Sequence, residues 1–222
     1  MWLVDEYQVK DREPLLEIIH QNPLATVVTL DSWSQPPASF ANHLPLLLDP
    51  EEGSSEYGDL IGHLSIQNPQ CGHFAQATPV LVIFQGPHAY ISPSTGRHPL
   101  TVPTWNYISV HVFGRPVLVE DPAEKIQIIE KQSRGMEKDA DAPWPFERLP
   151  QHFVEKLAAQ IMGFRIRIER IESQFKLNQD RRPTERESIV AHLSEAPHEG
   201  ARDIAAWMKK LCLPADPGTK AP

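Results

Sequence analysis

Four short strings of the sequence combine the residue types that hold a polar, ring-shaped ligand. They carry imidazole, amide, hydroxyl and indole groups, which bind ring edges and phosphates, next to apolar residues that could line a slot. Taken singly, such strings also occur in packed cores, where aromatic rings and histidines are simply buried. The four strings are Asn42–Pro45, Gly62–Pro69, Gly86–Ser94 and Val102–Tyr107.

Three of these strings lie in a stretch without acidic residues, from Leu60 to Val119. Its only full charges are Arg97 and Arg115, and it holds five of the chain's ten histidines. An anionic ligand could bind there without repulsion. A buried sheet core also excludes carboxylates, so the composition leaves both interpretations open.

Several common types of active site lack their motifs here. The sequence has no GxGxxG, Walker or GxSxG string, which argues against Rossmann, P-loop and serine hydrolase sites. Cys71 and His73 have no second pair at zinc spacing, so no metal site is predicted. The two cysteines, Cys71 and Cys212, are far apart, and we expect no disulfide.

The elements that must position these strings are mainly strands in the first half of the chain. Apolar spacing predicts a helix over 11–21 that ends before Pro23. Alternating and continuous apolar runs then predict strands, with Gly86-Pro87 as a tight turn between two of them. Short connections favour antiparallel pairing, and residues 24–48 are expected to form a hairpin. Alternation along the third strand places His63 and Ser65 on one face, together with Gln67 where the strand extends that far. The predicted strands are 24–30, 40–48, 60–66, 79–84, 88–92 and 108–120.

The second half is mostly helical, with one late strand over 164–171. Asp121 and Pro122 predict the N-cap and first residue of a helix. The fold class is therefore α+β, an antiparallel sheet or barrel with peripheral helices. The predicted helices are 122–136, 150–162, 184–193 and 201–211. The expected organisation is a barrel domain over 1–180, a helical C-terminal segment over 181–213 that packs on it, and a disordered tail over 214–222.

Composition limits the classes of function. The chain has 222 residues, a net charge of −8 and an isoelectric point of about 5.7. DNA-binding domains normally present a basic face, so we do not expect this chain to bind DNA on its own. It has no run of 18 apolar residues and no secretory pattern at its start, and we expect a cytoplasmic protein without a membrane span.

Nearly the whole chain resembles the PaiB family of FMN-binding negative transcriptional regulators. The longest and chemically most unusual matching strings are Phe84–Ser94 (FQGPHAYISPS) and Val102–Tyr107 (VPTWNY). The other matching strings are Asn22–Thr29, His43–Asp49, Gly62–Leu64, Asn68–Pro69, Val110–Gly114, Ala142–Trp144, Ile161–Phe164 and Phe175–Gln179.

The resemblance implies a split β-barrel, similar to pyridoxamine-phosphate oxidases and flavin reductases. It further implies a homodimer that binds FMN at its interface with residues of both chains. If the chain is an enzyme, the activity would be that of a flavin-dependent oxidoreductase, with the flavin supplying the redox chemistry. The family name also implies a repressor role in sporulation and protease synthesis.

On this resemblance the FMN contacts fall within the polar strings and near the end of the chain. His63 and Ser65 are expected near the cofactor. The indole, amide and phenol of Trp105, Asn106 and Tyr107 are expected in a ring or substrate pocket. No catalytic residue is assigned. The remaining expected contacts, to the phosphate or the isoalloxazine, are Asn68, Arg97, Lys176 and Gln179.

Two alternatives stay open. Some split barrels bind or degrade haem, and the histidines that could be iron ligands here are His43, His63, His88 and His111. The chain could instead be a negative regulator that acts through DNA or a protein partner. The basic residues over 165–182 interleave with acidic ones, which is typical of a solvated charged face.

Overall fold

Seven strands form one antiparallel sheet in the computed structural model of the chain, which describes residues 1–31, 35, 37–49, 56–95 and 102–213. The strand order is β2-β1-β5-β6-β7-β4-β3. This sheet agrees with the predicted α+β class. In chain order the strands are β1 (Leu24–Asp31), β2 (Ala38–Pro45), β3 (Leu47–Asp49), β4 (Asp59–Ser65), β5 (Val80–Ile91), β6 (Thr104–Val119) and β7 (Ile161–Lys176).

Helices flank and connect the strands. As predicted, Asp121 caps one of them: its Oδ1 accepts a hydrogen bond from the Glu124 amide at 3.0 Å, and Pro122 follows. Among the described residues, no helix is long and apolar enough to cross a membrane. The helices are α1 (Arg12–Gln21), α2 (Gln70–Ala75), α3 (Pro122–Glu137), α4 (Gln151–Ala158), α5 (Pro183–Ser194) and α6 (Glu199–Cys212), with short 3₁₀ turns at Asp5–Tyr7, Pro93–Thr95 and Phe146–Arg148.

The chain divides into two compact units, and strands β5, β6 and β7 contribute residues to both. The first unit buries Phe175 against Trp207, and the second buries Phe74 against Phe164. The first unit comprises Met1–Leu15, Gln85–Val110 and Glu172–Pro222, and the second comprises Leu16–Phe84 and His111–Ile171. The separate segment expected from residue 181 stays a prediction, and the expected tail over 214–222 lies outside the described residues.

Strands β1 and β2 form the predicted hairpin, with Val27 opposite Asn42. The predicted second strand, 40–48, is however two strands. The break falls at Leu46, whose amide donates to the Pro23 carbonyl at 2.8 Å. The chain then turns to pair with β4, where Leu47 lies opposite Ile61.

Two further local predictions were wrong, and one helix was missed. Gly86-Pro87 is not a turn, because β5 continues through it from Val80 to Ile91. The glycine allows a close approach to β6, since a Cβ there would lie 3.2 Å from Ile108 Cβ. The helix predicted to reach residue 162 ends at Ala158, and β7 begins at Ile161. The short helix α2 was not predicted at all.

One face of α3 lies against strands β3 and β4 in the second unit. Ile128 is fully buried in a cluster with Ile61 of β4 and Val119. One turn later, Lys131 Nζ lies 2.6 Å from the buried Asp49 Oδ2 of β3. Gly135, another turn on, approaches Leu47 so closely that a Cβ would lie 2.8 Å from Leu47 Cδ1. The helix is thereby fixed along its length.

The packing of β6 against β7 can be tested at Gly114. A Cβ at Gly114 would lie 2.1 Å from the Arg167 carbonyl oxygen, which is backbone and cannot rotate away. We expect Gly114→Ala to lower the free energy of unfolding by about 3 kcal/mol in urea titrations. The control is Gly72→Ala in α2, where a Cβ meets nothing within 4 Å and should stabilise by about 0.5–1 kcal/mol. Equal effects of the two substitutions would contradict the described packing.

Candidate functional site

A cleft of about 690 Å³ opens in the second unit at the end of β4. Its volume is within the range of about 300–1,000 Å³ that small-molecule sites occupy. One part of the lining is polar and comprises His63, Ser65, Gln67 and Gln160. The rest is mainly apolar and includes Leu44, Leu64, Ile129, Phe146, Leu149, Val154, Leu157 and Ile161.

The alternation of β4 places its polar side chains at the cleft. Ile61, His63 and Ser65 share one side of the strand, because successive side chains point to opposite faces. Along that side the burial falls from Ile61, which is fully buried, through the half-buried His63 to the exposed Ser65. Strand β4 thus runs from the core to the surface at the cleft, and the His63 imidazole lies at the boundary between the two.

Gln132 of α3 connects this imidazole to β2. Its Oε1 lies 2.7 Å from His63 Nδ1, and its Nε2 donates to the Pro45 carbonyl oxygen at 2.8 Å. Gln132 is only 6% exposed, and both of its hydrogen bonds are partly buried. This residue was not among those predicted from the sequence. A signal existed in the face of α3, because Gln132 follows Ile128 by one helical turn.

Asn68 holds the start of α2 rather than facing the cleft lining. Its Oδ1 accepts hydrogen bonds from Asn42 Nδ2 at 3.2 Å and from the Gln70 amide at 2.9 Å. Cys71, one residue further, donates from Sγ to the Ser65 carbonyl at 3.4 Å, and burial raises the pKa of this thiol. These contacts fix the chain that follows Ser65.

The other expected contact residues belong to the first unit. Trp105 is 52% exposed, and its ring lies 5.6 Å from that of His88 and 5.9 Å from that of Tyr90. Asn106 is fully buried and donates from Nδ2 to Asn178 Oδ1 at 2.7 Å. Its Oδ1 is buried without a hydrogen-bond partner among the described residues. Tyr107 is half-buried.

Lys176 and Gln179, near the end of β7, are both engaged within the first unit. Lys176 Nζ donates to Thr104 Oγ1 at 2.6 Å. Gln179 stabilises a turn: its Oε1 accepts from the Leu177 amide at 2.7 Å, and its Nε2 donates to the Phe175 carbonyl. Arg97, the remaining expected phosphate contact, lies outside the described residues. The cofactor contacts proposed from the sequence therefore stay predictions, with His63 and Ser65 the two that line the cleft.

The four histidines considered as iron ligands have different surroundings. His63 lines the cleft. His43 is exposed, with Nδ1 3.1 Å from Thr26 Oγ1, and His88 lies against Trp105. His111 is half-buried; its Nδ1 has no partner among the described residues, and burial lowers its pKa. Within the described part of the chain, no three His, Cys, Asp or Glu side chains are grouped as a metal site.

Comparison with known sequences identifies the family. Residues 1–170 match the model described as "Putative FMN-binding domain". The chain belongs to this family. The expectation of FMN as cofactor is thereby confirmed at the level of the FMN-binding domain family. The chain is also 32% identical over 211 residues to "Protease synthase and sporulation protein PAI 2" of Bacillus subtilis (strain 168), covering 94% of this chain and 97% of that protein. The resemblance to the PaiB family is confirmed.

Two solved structures share the fold of this chain. The flavocytochrome Anf3 from Azotobacter vinelandii matches 76% of this chain and 69% of its own, with a TM-score of 0.58 and 16% identity. The FAD and heme binding protein from Mycobacterium smegmatis matches 77% of this chain and 73% of its own, with a TM-score of 0.56 and 17% identity. The predicted fold class, an antiparallel split barrel with helices, is confirmed.

Two histidines of the second unit should make the fold sensitive to acid. Burial lowers the pKa of His111, and burial followed by the charge of Lys138 lowers the pKa of His20. The unfolded chain binds protons at the ordinary histidine pKa of about 6.5, whereas the folded chain resists them. The free energy of unfolding should therefore fall as the pH drops below about 6.5.

The measurement is urea unfolding at a series of pH values. His111→Phe keeps a ring but cannot titrate, so its stability should fall less steeply below about pH 6.5 than that of the unsubstituted protein. Parallel stability curves for the two proteins would mean that His111 does not resist protonation in the fold.

Proposed function

We propose that the chain is a flavoprotein that binds FMN with its isoalloxazine in the cleft at the end of β4, and that it acts as a flavin-dependent oxidoreductase. The observation that carries this proposal is the division of the cleft lining. Imidazole, hydroxyl and amide groups lie on β4 and beside it, and apolar side chains come from α3, α4 and the start of β7.

The chemistry of these residues fits an isoalloxazine. The ring system has an apolar benzenoid end and a pyrimidine end with carbonyl and N–H groups. Leu149, Val154 and Leu157 can cover the apolar end and exclude water, while His63 and Gln160 offer hydrogen bonds to the polar end. FMN, when bound, supplies the redox chemistry, and the residues of this chain bind and orient it.

The phosphate of FMN supports a second part of the proposal, that the chain is a homodimer with the cofactor at its interface. A phosphate normally pairs with Lys or Arg. None of the described residues that line the cleft is a lysine or an arginine. A cation from a second copy of the chain would complete the site.

An outward face of the second unit offers a surface for that second copy. Val28 of β1 lies opposite Leu81 of β5, and Thr26 lies opposite Ile83. All four are only half-buried, and Leu30, further along β1, is 55% exposed. Contiguous apolar side chains on a sheet face are typical of protein interfaces.

Regulation through DNA receives less support than flavin chemistry. The name of the Bacillus subtilis relative concerns protease synthesis and sporulation, which would suit a regulator. Two of the three arginines of β7 are nevertheless engaged within the second unit. Arg165 Nη1 lies 3.9 Å from Asp49 Oδ2, and the Arg170 guanidinium lies 3.8 Å from the centre of the Phe113 ring. Both arginines are held by contacts within the fold, which disfavours a role for them in binding phosphates.

FMN binding is tested with a matched pair on α4. Leu157 and Phe153 are 43% and 42% exposed, but only Leu157 lines the cleft. We expect purified protein to show the flavin absorbance bands. Leu157→Glu should weaken FMN binding about tenfold or more, because its carboxylate faces the apolar ring and repels the phosphate.

Phe153→Glu, the control, should bind FMN like the unsubstituted protein. A colourless protein whose absorbance and fluorescence do not change on addition of FMN would overturn the flavin proposal.

The same titration with haem tests the alternative cofactor, for which His63 is the candidate iron ligand in the cleft. A Soret band at stoichiometric haem that His63→Ala removes would favour haem.

The dimer is tested by sedimentation or light scattering. The unsubstituted protein should have twice the mass of one chain. Val28→Glu places a carboxylate in the middle of the apolar sheet face and should shift the protein toward a single chain at micromolar concentration. Leu211→Glu makes a similar change at a partly exposed position of α6 and is the control. A single-chain mass for the unsubstituted protein would overturn the dimer.

A further inference from the structure

The hydrogen bonds from Pro45 through Gln132 to His63 have a fixed direction. The Pro45 carbonyl oxygen can only accept, so the Gln132 atom 2.8 Å from it is the donating Nε2. The amide oxygen, Oε1, therefore faces His63 Nδ1 at 2.7 Å. An amide oxygen can only accept, and His63 must donate from Nδ1. The reverse orientation of the amide would bring two acceptor oxygens together.

We propose that Gln132 is a positioning residue that holds neutral His63 as the Nδ1–H tautomer, so that Nε2 offers an acceptor to the cleft. This inference rests on the proposed flavin site and specifies which edge of the flavin meets the imidazole. In a neutral imidazole only one nitrogen carries a proton. Fixing that proton on Nδ1 leaves a lone pair on Nε2.

The surroundings of Gln132 hold its amide in one orientation and thereby fix the tautomer of His63. The side chain is buried, and an unbonded amide there would carry a desolvation cost. Its helix cannot easily shift, because Ile128 is packed against Ile61 and Lys131 is paired with Asp49. The amide therefore stays between the Pro45 carbonyl and the imidazole.

The ligand group that meets His63 must then be a donor. Within the described part of the chain, Gln132 is the hydrogen-bond partner of the His63 ring. The pyrimidine end of a flavin presents N3–H between two carbonyl groups. Gln67 and Gln160, which also line the cleft, carry N–H donors suited to carbonyls. This combination of one acceptor and two amides matches the N3–H edge.

Nitrogen NMR of the ligand-free protein tests the tautomer without any cofactor. With ¹⁵N-labelled histidine at about pH 8.5, where imidazoles are ordinarily neutral, His63 should carry its proton on Nδ1. His63→Asn identifies the signals. Gln132→Leu should shift His63 toward the Nε2–H form, which free imidazole side chains prefer. Gln160→Leu removes a cleft amide that has no bond to His63 and should leave the tautomer unchanged.

Gln132→Met keeps the length of the side chain but removes the acceptor next to His63, and it should also shift His63 toward the Nε2–H form, which covers the case in which the leucine variant does not fold. An unprotonated Nδ1 in the unsubstituted protein would overturn the proposal. So would a tautomer that is the same in Gln132→Leu as in the unsubstituted protein.

Riboflavin and 3-methylriboflavin test the edge. Methylation removes N3–H, and we expect it to weaken binding to the unsubstituted protein about tenfold. In Gln132→Leu the two flavins should bind with similar affinity. Equal binding of both flavins to the unsubstituted protein would overturn the edge assignment while the flavin site stands. Binding of neither riboflavin nor FMN would overturn the proposed function, and the NMR result would still decide the tautomer.

Discussion

The packing of α3 on β3 and β4 is the constraint on which the rest of the cleft depends. Four residues at helical spacing make it, and each uses a different interaction. Ile128 contributes apolar burial, Lys131 an ion pair with Asp49, Gln132 an amide bridge, and Gly135 a close approach to Leu47. Because these contacts lie on one face, a shift of the helix would break all of them together. The imidazole at the cleft is therefore held by the fold.

Buried amides have a similar role beneath the hairpin of β1 and β2. Gln70 is fully buried; its Nε2 donates to the Val27 carbonyl at 2.9 Å, and its Oε1 accepts from Asn42 at 3.1 Å. His73 joins this group through Thr29 Oγ1 at 2.7 Å. A buried polar group costs free energy unless it is bonded, so each amide has one favoured geometry. These bonded amides position the start of α2 beneath the hairpin.

The sequence predicted the parts of this arrangement that depend on local periodicity. Alternation gave the β1–β2 hairpin and placed His63 and Ser65 on one side of β4, and the capping signal at Asp121 gave the start of α3. The turn predicted at Gly86-Pro87 was wrong, because pairing within the sheet keeps β5 extended there, with Gly86 close to Ile108, and this tertiary pairing outweighs the turn preference of the pair. Gln132 was missed because its role depends on two strands far away in sequence, and a polar residue on a helix face is usually taken as exposed.

The acid-free stretch from Leu60 to Val119 contains the sheet core that its composition allowed, and its polar part lies at the proposed ligand site. Most of it is sheet core, as Val82, Phe84, Val110 and Val112 are fully buried. Its polar part at the end of β4 faces a cleft whose described lining contains no Asp, Glu, Lys or Arg. In such a lining His63 is the side chain whose hydrogen-bonding character depends on where one proton lies. The side chain that fixes that proton, Gln132, therefore determines which edge of a bound ring the cleft accepts.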